Sequence, residues 1–550
     1  MTSLYSRIKT RLLLELDGLH WRRQNVALRR AALPEPCKTA LICNLMTTFA
    51  TTKVEALYAA ALRQRGYRVV VLLPSRYPLM QRLYTATGPT DFVYFSDFSI
   101  AGDDEQCRRQ VESEMQQISD GSDLFMYEHD GFRIGRNALS VAVRKLRIGA
   151  LDYSNFRHRE EVAASLFGAF EAKLKAGRVV ETVRPNLALF LERGYSPAGE
   201  MFDACLLKGV DVVQWLGAPQ SDRFLFKRYD LSTRDDHPLA LAGDTWDKIK
   251  QSPLDEAAES QVLTKLASHY ADGAWFNRQQ LQDGKRILDR PETLRRLGVA
   301  SGRKVAVIFS HILYDATFFY GKSLFPDYES WLIETVRCAF ANPHLDWVVK
   351  VHPVNVWRSR MDSQPMEQLE AAAIKKALGP LPPHVRLLPA DTDINTFSLF
   401  NAIDVGLTVR GTIGMELPCW GIPVVTAGTG RYSGNGFTLD PADQREYREL
   451  MARLHQVPRL DPPAIALARR YAWGTFFGRP VPVESFILDF HAKSFGLPAL
   501  TQNTRVAESV RRSGVFGVDM DRIADWLANG RSGDLLSSDL TWMPADDVAD

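Results

Sequence analysis

The chain has 550 residues, of which 45% are hydrophobic and 24% charged, with a formal net charge of +2. That length supports two to four domains, the composition excludes a disordered chain, and the near-balanced charge argues against a nucleic-acid partner. The six cysteines (Cys37, Cys43, Cys107, Cys205, Cys338 and Cys419) form no CxxC pair and no zinc-type Cys/His spacing, so they read as reduced thiols and no metal site is expected. No apolar run reaches the roughly 18–20 residues of a spanning helix, and the N-terminus lacks the apolar core and cleavage site of a signal peptide, so the sequence predicts a cytoplasmic protein.

Residues 1–35 read as a basic helical segment, with seven Lys or Arg against two acids in residues 1–30 and Leu12, Leu13, Leu14 and Leu16 among them. Two readings of it stand: a solvated helix packed on the domain behind it, or an amphipathic helix touching the anionic inner face of a membrane. Residues 36–299 predict a first α/β unit. Strands are expected at 40–43, 68–73, 92–95, 124–127, 187–191 and 210–214, with helices at 53–65 and 155–176. A polar helical stretch, 230–299, joins the halves, and the boundary falls at Val299-Ala300-Ser301-Gly302-Arg303. Residues 300–440 predict a second, cleaner unit: strands at 305–309, 347–351, 385–388, 405–409 and 423–426, and helices at 328–341, 367–378, 395–401 and 412–420. Alternation of short apolar strands with helix-length segments implies parallel sheets, with ligands beyond the strands' carboxyl ends. Residues 441–530 read as helices packing back on the first half, and 531–550, rich in Asp, Ser and Gly, as a mobile tail.

The most informative segment is 404–426. An apolar strand runs into Arg410-Gly411-Thr412-Ile413-Gly414, where a helix begins. Free N–H groups at a helix start can cradle a phosphate. Gly411 and Gly414 permit close approach, Thr412 can cap the helix or bond a phosphate oxygen, and Arg410 can add a charge-assisted bond. The same residues also suit a capped, tightly packed helix with no ligand. A second anion-suited turn, Lys350-Val351-His352-Pro353, ends an earlier strand on the same predicted sheet edge. A third, Ser310-His311, follows the first strand of the unit, and the polar loop 428–436 is placed to fold over a ligand.

Together, His352-Pro353, the 410–421 turn and helix, Pro423-Val424-Val425 and Tyr432…Gly436-Phe437-Thr438 resemble the C-terminal half of capsule polysaccharide biosynthesis glycosyltransferases. The block is also similar to teichoic-acid glycerophosphotransferases and, through Glu416-Leu417-Pro418 and Gly421-Ile422-Pro423, to UDP-sugar 2-epimerases. The resemblance covers about 300–440. It implies a GT-B fold, two Rossmann-like domains facing a cleft, and metal-independent transfer from a nucleotide-sugar to a surface polysaccharide or glycolipid. The nucleotide-sugar is a substrate, CMP-, UDP- or GDP-linked, and no cofactor is expected. The resemblance further places His352 on the donor phosphate, Arg410, Gly411 and Thr412 along the phosphate turn, and Glu416 at the ribose. Arg410-Gly411-Thr412 departs from the Ser-Ser or Ser-Thr of many relatives, and Pro418 from their Ala. Epimerisation, polyol-phosphate transfer and a non-catalytic scaffold role remain alternatives.

The first half supplies the expected chemistry. Tyr127-Glu128-His129-Asp130-Gly131-Phe132-Arg133 resembles an acidic segment that some capsule sugar transferases carry at the cleft. Asp130 and Glu128 are the candidate catalytic carboxylates, as base for the acceptor hydroxyl or stabiliser of an oxocarbenium-like donor. Arg133 is a candidate for binding an acidic sugar. An ordinary surface turn is the competing reading. Glu192, Asn44 and Thr47 are further candidates for the acceptor side, against an ion pair and a helix-capping run respectively.

Overall fold

The computed structural model describes residues 4–118, 121–220, 222–252, 256–272, 281–282, 284–299, 302–356, 368–489 and 503–537. Two parallel sheets organise it. In the first, β1 (Lys38–Cys43), β2 (Tyr67–Leu73), β3 (Asp91–Tyr94), β4 (Leu187–Phe190) and β5 (Asp211–Gly217) run parallel in the order β3-β2-β1-β4-β5. β6 (Arg223–Tyr229) then turns back antiparallel along β5. In the second, β7 (Val305–Phe309), β8 (Asp346–Lys350), β9 (Val385–Leu388), β10 (Val405–Thr408) and β11 (Val424–Thr426) are all parallel, in the order β11-β10-β7-β8-β9.

The strands are near-continuous apolar runs because helices cover both faces of each sheet. Along β1, Ile42 joins Tyr58, Val71 and Leu189 on one face, while Leu41 and Cys43 join Val70, Phe170 and Phe190 on the other. The second sheet is divided likewise: Val305, Val307 and Phe309 face one core, Ala306 and Ile308 the other.

After the helix Pro462–Trp473 packs on the second unit, the chain crosses back. β12 (Val481–Pro482) pairs antiparallel with β6, and β13 (Phe486–Asp489) pairs with β14 (Asn503–Val506). These strands stand where the sequence predicts helices, because Val481 and Phe486 complete the core over the first sheet.

Two further expectations change. The predicted strand 124–127 is the end of a helix, Gly121–Met126: a four-residue apolar run does not fix its period, and here Leu124 packs among the helices spanning β3 to β4. Residues 531–537, predicted as part of a mobile tail, are held by the fold. Asp534 is buried between Arg479, at 2.9 Å, and Lys227, at 3.8 Å, and its carboxylate accepts from the Ala242 amide. Two buried cations require that anion, which holds residues 531–537 in place; residues 538–550 lie outside the described residues. The basic N-terminal segment is helical over Leu4–Gln24, and its inner face packs on the first unit through Trp21, whose Nε1 donates to the Leu83 carbonyl at 2.9 Å.

Candidate functional site

From β7 the second unit winds to β8 and β9 on one side, then returns to β10 and β11 on the other. The loops after β7 and β10 therefore diverge and leave a crevice at the strands' carboxyl ends. A cavity of 380 Å³ fills it. β7 and its loop contribute Ser310 and His311, β8 and its loop Lys350 and His352, and β10 and its turn Thr408, Arg410, Gly411 and Thr412. Glu416 lies deeper, and Arg431, His237, Tyr270 and Asp315 complete the wall from distant parts of the chain.

The wall is cationic. Arg410 is 3% exposed. Its Nη2 donates to the Lys322 carbonyl at 3.1 Å and to Ser323 Oγ at 2.5 Å, while Nε and Nη1 are buried with no partner among the described residues. Arg431 donates from Nη1 to the Arg410 carbonyl at 2.9 Å, and its Nε is likewise unpartnered. Burial, followed by the neighbouring charge of Lys285, pushes the Lys350 ammonium down to about 7. Buried N–H groups left without acceptors cost about 1–3 kcal/mol each, more on a charged group. An anion in the cavity removes that cost.

The two histidines differ. His311 Nε2 accepts from the Val409 amide at 3.1 Å and lies 3.0 Å from Thr408 Oγ1, which itself accepts from the Gly411 amide. Burial and the nearby His352, Arg410 and Arg431 hold the ring well below its usual range, so it is neutral. His311 thus ties the β7 loop to the β10 turn. His352 accepts from the Val354 amide through Nδ1 at 3.2 Å, which leaves the proton on Nε2. Glu416 is fully buried and receives the Tyr270 hydroxyl, whose ring stacks on Phe397.

The helix predicted at 412–420 is shorter. It is one α turn, Ile413–Glu416, running into a 3-10 turn, Leu417–Trp420. Pro418 removes a donor and crowds the preceding carbonyl, which ends the α geometry. Thr412 makes no side-chain cap bond, and Thr408 Oγ1 takes the Gly411 amide, so side-chain cations dominate this turn. Gly414, read as donor-binding, does not line the cavity. Its ideal Cβ would lie 2.0 Å from Tyr432 Oη, which donates to the Gly411 carbonyl at 2.8 Å. The glycine lets Tyr432 brace the turn.

The two sheets meet at their carboxyl edges. Tyr195, after β4, donates its hydroxyl to Asp315 Oδ1, after β7, at 2.7 Å, and Phe319 packs on Gly194. Each sheet has the Rossmann order, 3-2-1-4-5, and the cavity opens where they face each other. The chain has a GT-B-like fold. No family model and no curated protein sequence matches it. Among solved structures it is similar to the UDP-GlcNAc 2-epimerase from Neisseria meningitidis bound to UDP-GlcNAc, at 11% identity and a TM-score of 0.27, over 80% of this chain and 99% of that one. It is also similar to the Thermosulfurimonas dismutans KpsC beta Kdo 2,7 transferase, at 12% identity and a TM-score of 0.34, over 62% of this chain and 88% of that one. A third is the spinosyn rhamnosyltransferase SpnG complexed with spinosyn aglycone, at 13% identity and a TM-score of 0.24, over 80% and 96%.

In this GT-B-like chain the first-unit candidates do not line the cavity. Glu128 pairs with Arg234 at 2.7 Å. Asp130 is exposed, and the Lys173 ammonium, bonded to it, holds its carboxyl below the usual range. Arg133 is buried and spent on Asp203 at 2.6 Å and Asp235 at 2.9 Å, so it binds two acids of its own chain. Asn44 is buried: its Nδ2 donates to Thr52 and Tyr84, and its Oδ1 accepts from the Thr47 amide at 2.9 Å. Thr47 occupies the left-handed region with φ of 50°. Glu192 comes nearest. It follows β4 at the first sheet's own switch point, accepts from the Arg193 and Gly194 amides, and is raised above its usual range mainly by burial, with Asp315 adding to the rise.

Sequence reading missed His237 and Tyr270, because both lie in the polar stretch between the units and approach the cavity only through the fold. Lys285 was missed for the same reason. Arg431 sits in the loop read as a cover and carries a signal a closer reading could use: a lone cation between glycines.

Proposed function

We propose that the chain is a glycosyltransferase that binds a nucleotide-sugar in the cavity beyond β7, β8 and β10 and transfers its glycosyl group to a saccharide or glycolipid acceptor entering between the sheets. The observation that carries this reading is Arg410: a buried guanidinium with two unpartnered nitrogens, on a residue that lines a cavity shared with Arg431, Lys350 and His352. A donor phosphate supplies the acceptor oxygens that Arg410 and Arg431 lack, and the cations stabilise the charge that the phosphate gains as the glycosyl bond breaks.

The cavity's mouth offers Asp315, with Glu192 behind it, as base. The acceptor hydroxyl gives its proton to that carboxylate, its oxygen forms the new bond to the anomeric carbon, and the electron pair of the breaking bond leaves on the donor phosphate oxygen. Burial raises Glu192 above its usual range, which strengthens it as a proton acceptor. The reading therefore shifts the base from Glu128 and Asp130 to residues at the meeting of the two sheets.

The test is a thermal-shift screen of the full chain with CMP-, UDP- and GDP-linked sugars, followed by turnover with and without saccharide acceptors. At least one donor should stabilise the wild type and release its nucleotide only with acceptor. Conversion of the donor to its C2 epimer without acceptor would favour epimerisation, and no stabilisation by any donor would favour a scaffold.

A further inference from the structure

The outer face of the N-terminal helix carries a feature that donor binding does not use. Ile8, Leu12, Leu16 and Leu19 are 53%, 59%, 50% and 56% exposed. At about 100° per residue they fall within one stripe roughly 80° wide. The opposite side, with Asp17 at 3%, Trp21 at 1% and Gln24 at 7% exposed, is sealed against the first unit. Exposed cations border the stripe, Lys9 on one side and Arg11 and Arg22 on the other, while Arg23 lies on the stripe's own line one turn beyond Leu19. The one acid near it, Glu15, is bonded to Arg82 and so largely neutralised.

The fold also fixes where this stripe lies. Asp17 pairs with Lys53 at 2.5 Å, in the first turn of the helix Phe49–Gln64, which leaves the carboxyl end of β1. Ten residues later, Ala27 packs on Gly514, to whose carbonyl Gln64 donates from the far end of that helix. Between these two contacts the chain runs in the same direction as that helix, while the N-terminal helix itself packs on the helix Pro78–Thr85 through Gly18 on Leu79 and Trp21 on Leu83. The turns before Asp17 stand at and beyond the carboxyl edge of the first sheet, the edge that opens toward the second unit. Met46 and Tyr77, in the loops after β1 and β2 on that edge, are 48% and 45% exposed.

We infer that this helix lies on an anionic phospholipid bilayer, with Ile8, Leu12, Leu16 and Leu19 among the acyl-chain boundary and Lys9, Arg11, Arg22 and Arg23 at the headgroups. Charge on both margins of an apolar stripe is what a lipid surface of negative potential selects. A partner helix would leave the marginal cations without counterions. No helix among the described residues is long and apolar enough to cross a membrane, so the contact is peripheral. The inference does not depend on the transferase reading. If both hold, the open side of the cleft faces the lipid surface, and a membrane-anchored acceptor enters by it.

The experiment is co-sedimentation of the full chain with phosphatidylcholine vesicles with and without phosphatidylglycerol, for the wild type, Leu12→Glu/Leu16→Glu and Lys9→Glu/Arg23→Glu. The wild type should bind the anionic vesicles, and each double variant should bind them at least about tenfold more weakly, with melting temperatures unchanged because these side chains are exposed. Equal wild-type binding to neutral and anionic vesicles would overturn the inference, as would wild-type-like binding by the leucine variant. A concentration-dependent dimer that the leucine variant abolishes, without vesicle binding by the wild type, would overturn it too and assign the stripe to a second copy of the chain.

Discussion

At the scale of single residues, the cavity sets a test that separates a binding group from a structural one. Arg410 leaves two buried nitrogens unpartnered. If its purpose were stability, removing it would lower the melting temperature. Arg410→Gln is instead expected to hold or raise the melting temperature, because it removes an under-compensated buried charge, and to weaken donor binding about 10–100-fold, the worth of one or two charged hydrogen bonds. Calorimetric binding and thermal melts of the same preparation check both. Lys350 makes a second prediction, with a sign. Its ammonium titrates at about 7 when the cavity is empty, and a bound anion favours the charged form. Below that pH the charge is already present. Above it, binding must take up a proton, so donor affinity falls with rising pH, approaching tenfold per unit. The sugar-linked phosphate has no titration of its own there. In Lys350→Met the affinity should be lower and nearly flat from pH 6.5 to 8.5, measured by isothermal titration in two buffers of different ionisation heat. A slope that persists in the variant would assign the proton elsewhere.

At the scale of elements, two helices carry buried acids that couple folding to pH. Glu55, in the helix Phe49–Gln64, is pushed up to about 8 by burial, although Tyr84 and Trp215 donate to it. Glu200, in the helix Ala198–Leu207, is likewise pushed up to about 8, with Asn137 as donor. Both carboxyls are neutral in the fold at neutral pH and ionised in the unfolded chain. Folding therefore takes up protons between their ordinary range and about 8. Their contribution is fully present below that ordinary range, and it is lost as pH rises through 8. Melts from pH 5.5 to 8.5 should show a falling midpoint, and Glu55→Gln/Glu200→Gln should flatten it. Legibility in the sequence also divides by element. All five strands of the second sheet were readable, because each is a short apolar run closed by a turn signal. β6 was not, because it continues past β5 with no alternation between faces: Phe224, Leu225, Phe226 and Lys227 are all buried. The cavity's own turns were readable for a local reason, a cation or glycine directly after an apolar strand. His237, Tyr270 and Lys285 carry no such signal, since only the path of the chain between the units brings them there. Gly414 misled because a glycine beside an anion-suited turn looks the same whether it admits a ligand or a tyrosine.

At the scale of the whole molecule, the segment 230–241 straps the two units together at the cavity. On the first unit's side, Asp235 Oδ1 accepts from Arg133 at 2.9 Å and Arg136 at 3.2 Å, and Arg193 donates to the Arg234 carbonyl at 2.6 Å. Toward the second unit, the Asp235 carbonyl accepts from the Gly321 amide at 2.9 Å, and the His237 amide donates to the Gly430 carbonyl at 2.7 Å. Gly430 neighbours Arg431, so the strap connects Arg133, first read as a sugar-binding residue, to the cationic wall. On the proposed reading its role is positional: it sets the distance between a donor held on the second unit and the carboxylate Glu192 on the first. A small misplacement of reacting groups costs rate far more than it costs binding. Asp235→Asn removes the charge between Arg133 and Arg136 while Asp203 still satisfies Arg133. The expected outcome is a kcat about 10–100-fold lower with the donor KM changed less than about threefold. Small-angle scattering should show a wider spread of inter-unit spacings than in the wild type. An unchanged kcat, or a loss of donor binding as large as the loss of rate, would remove the strap from the register of the site and make Asp235 a local ion-pair residue only.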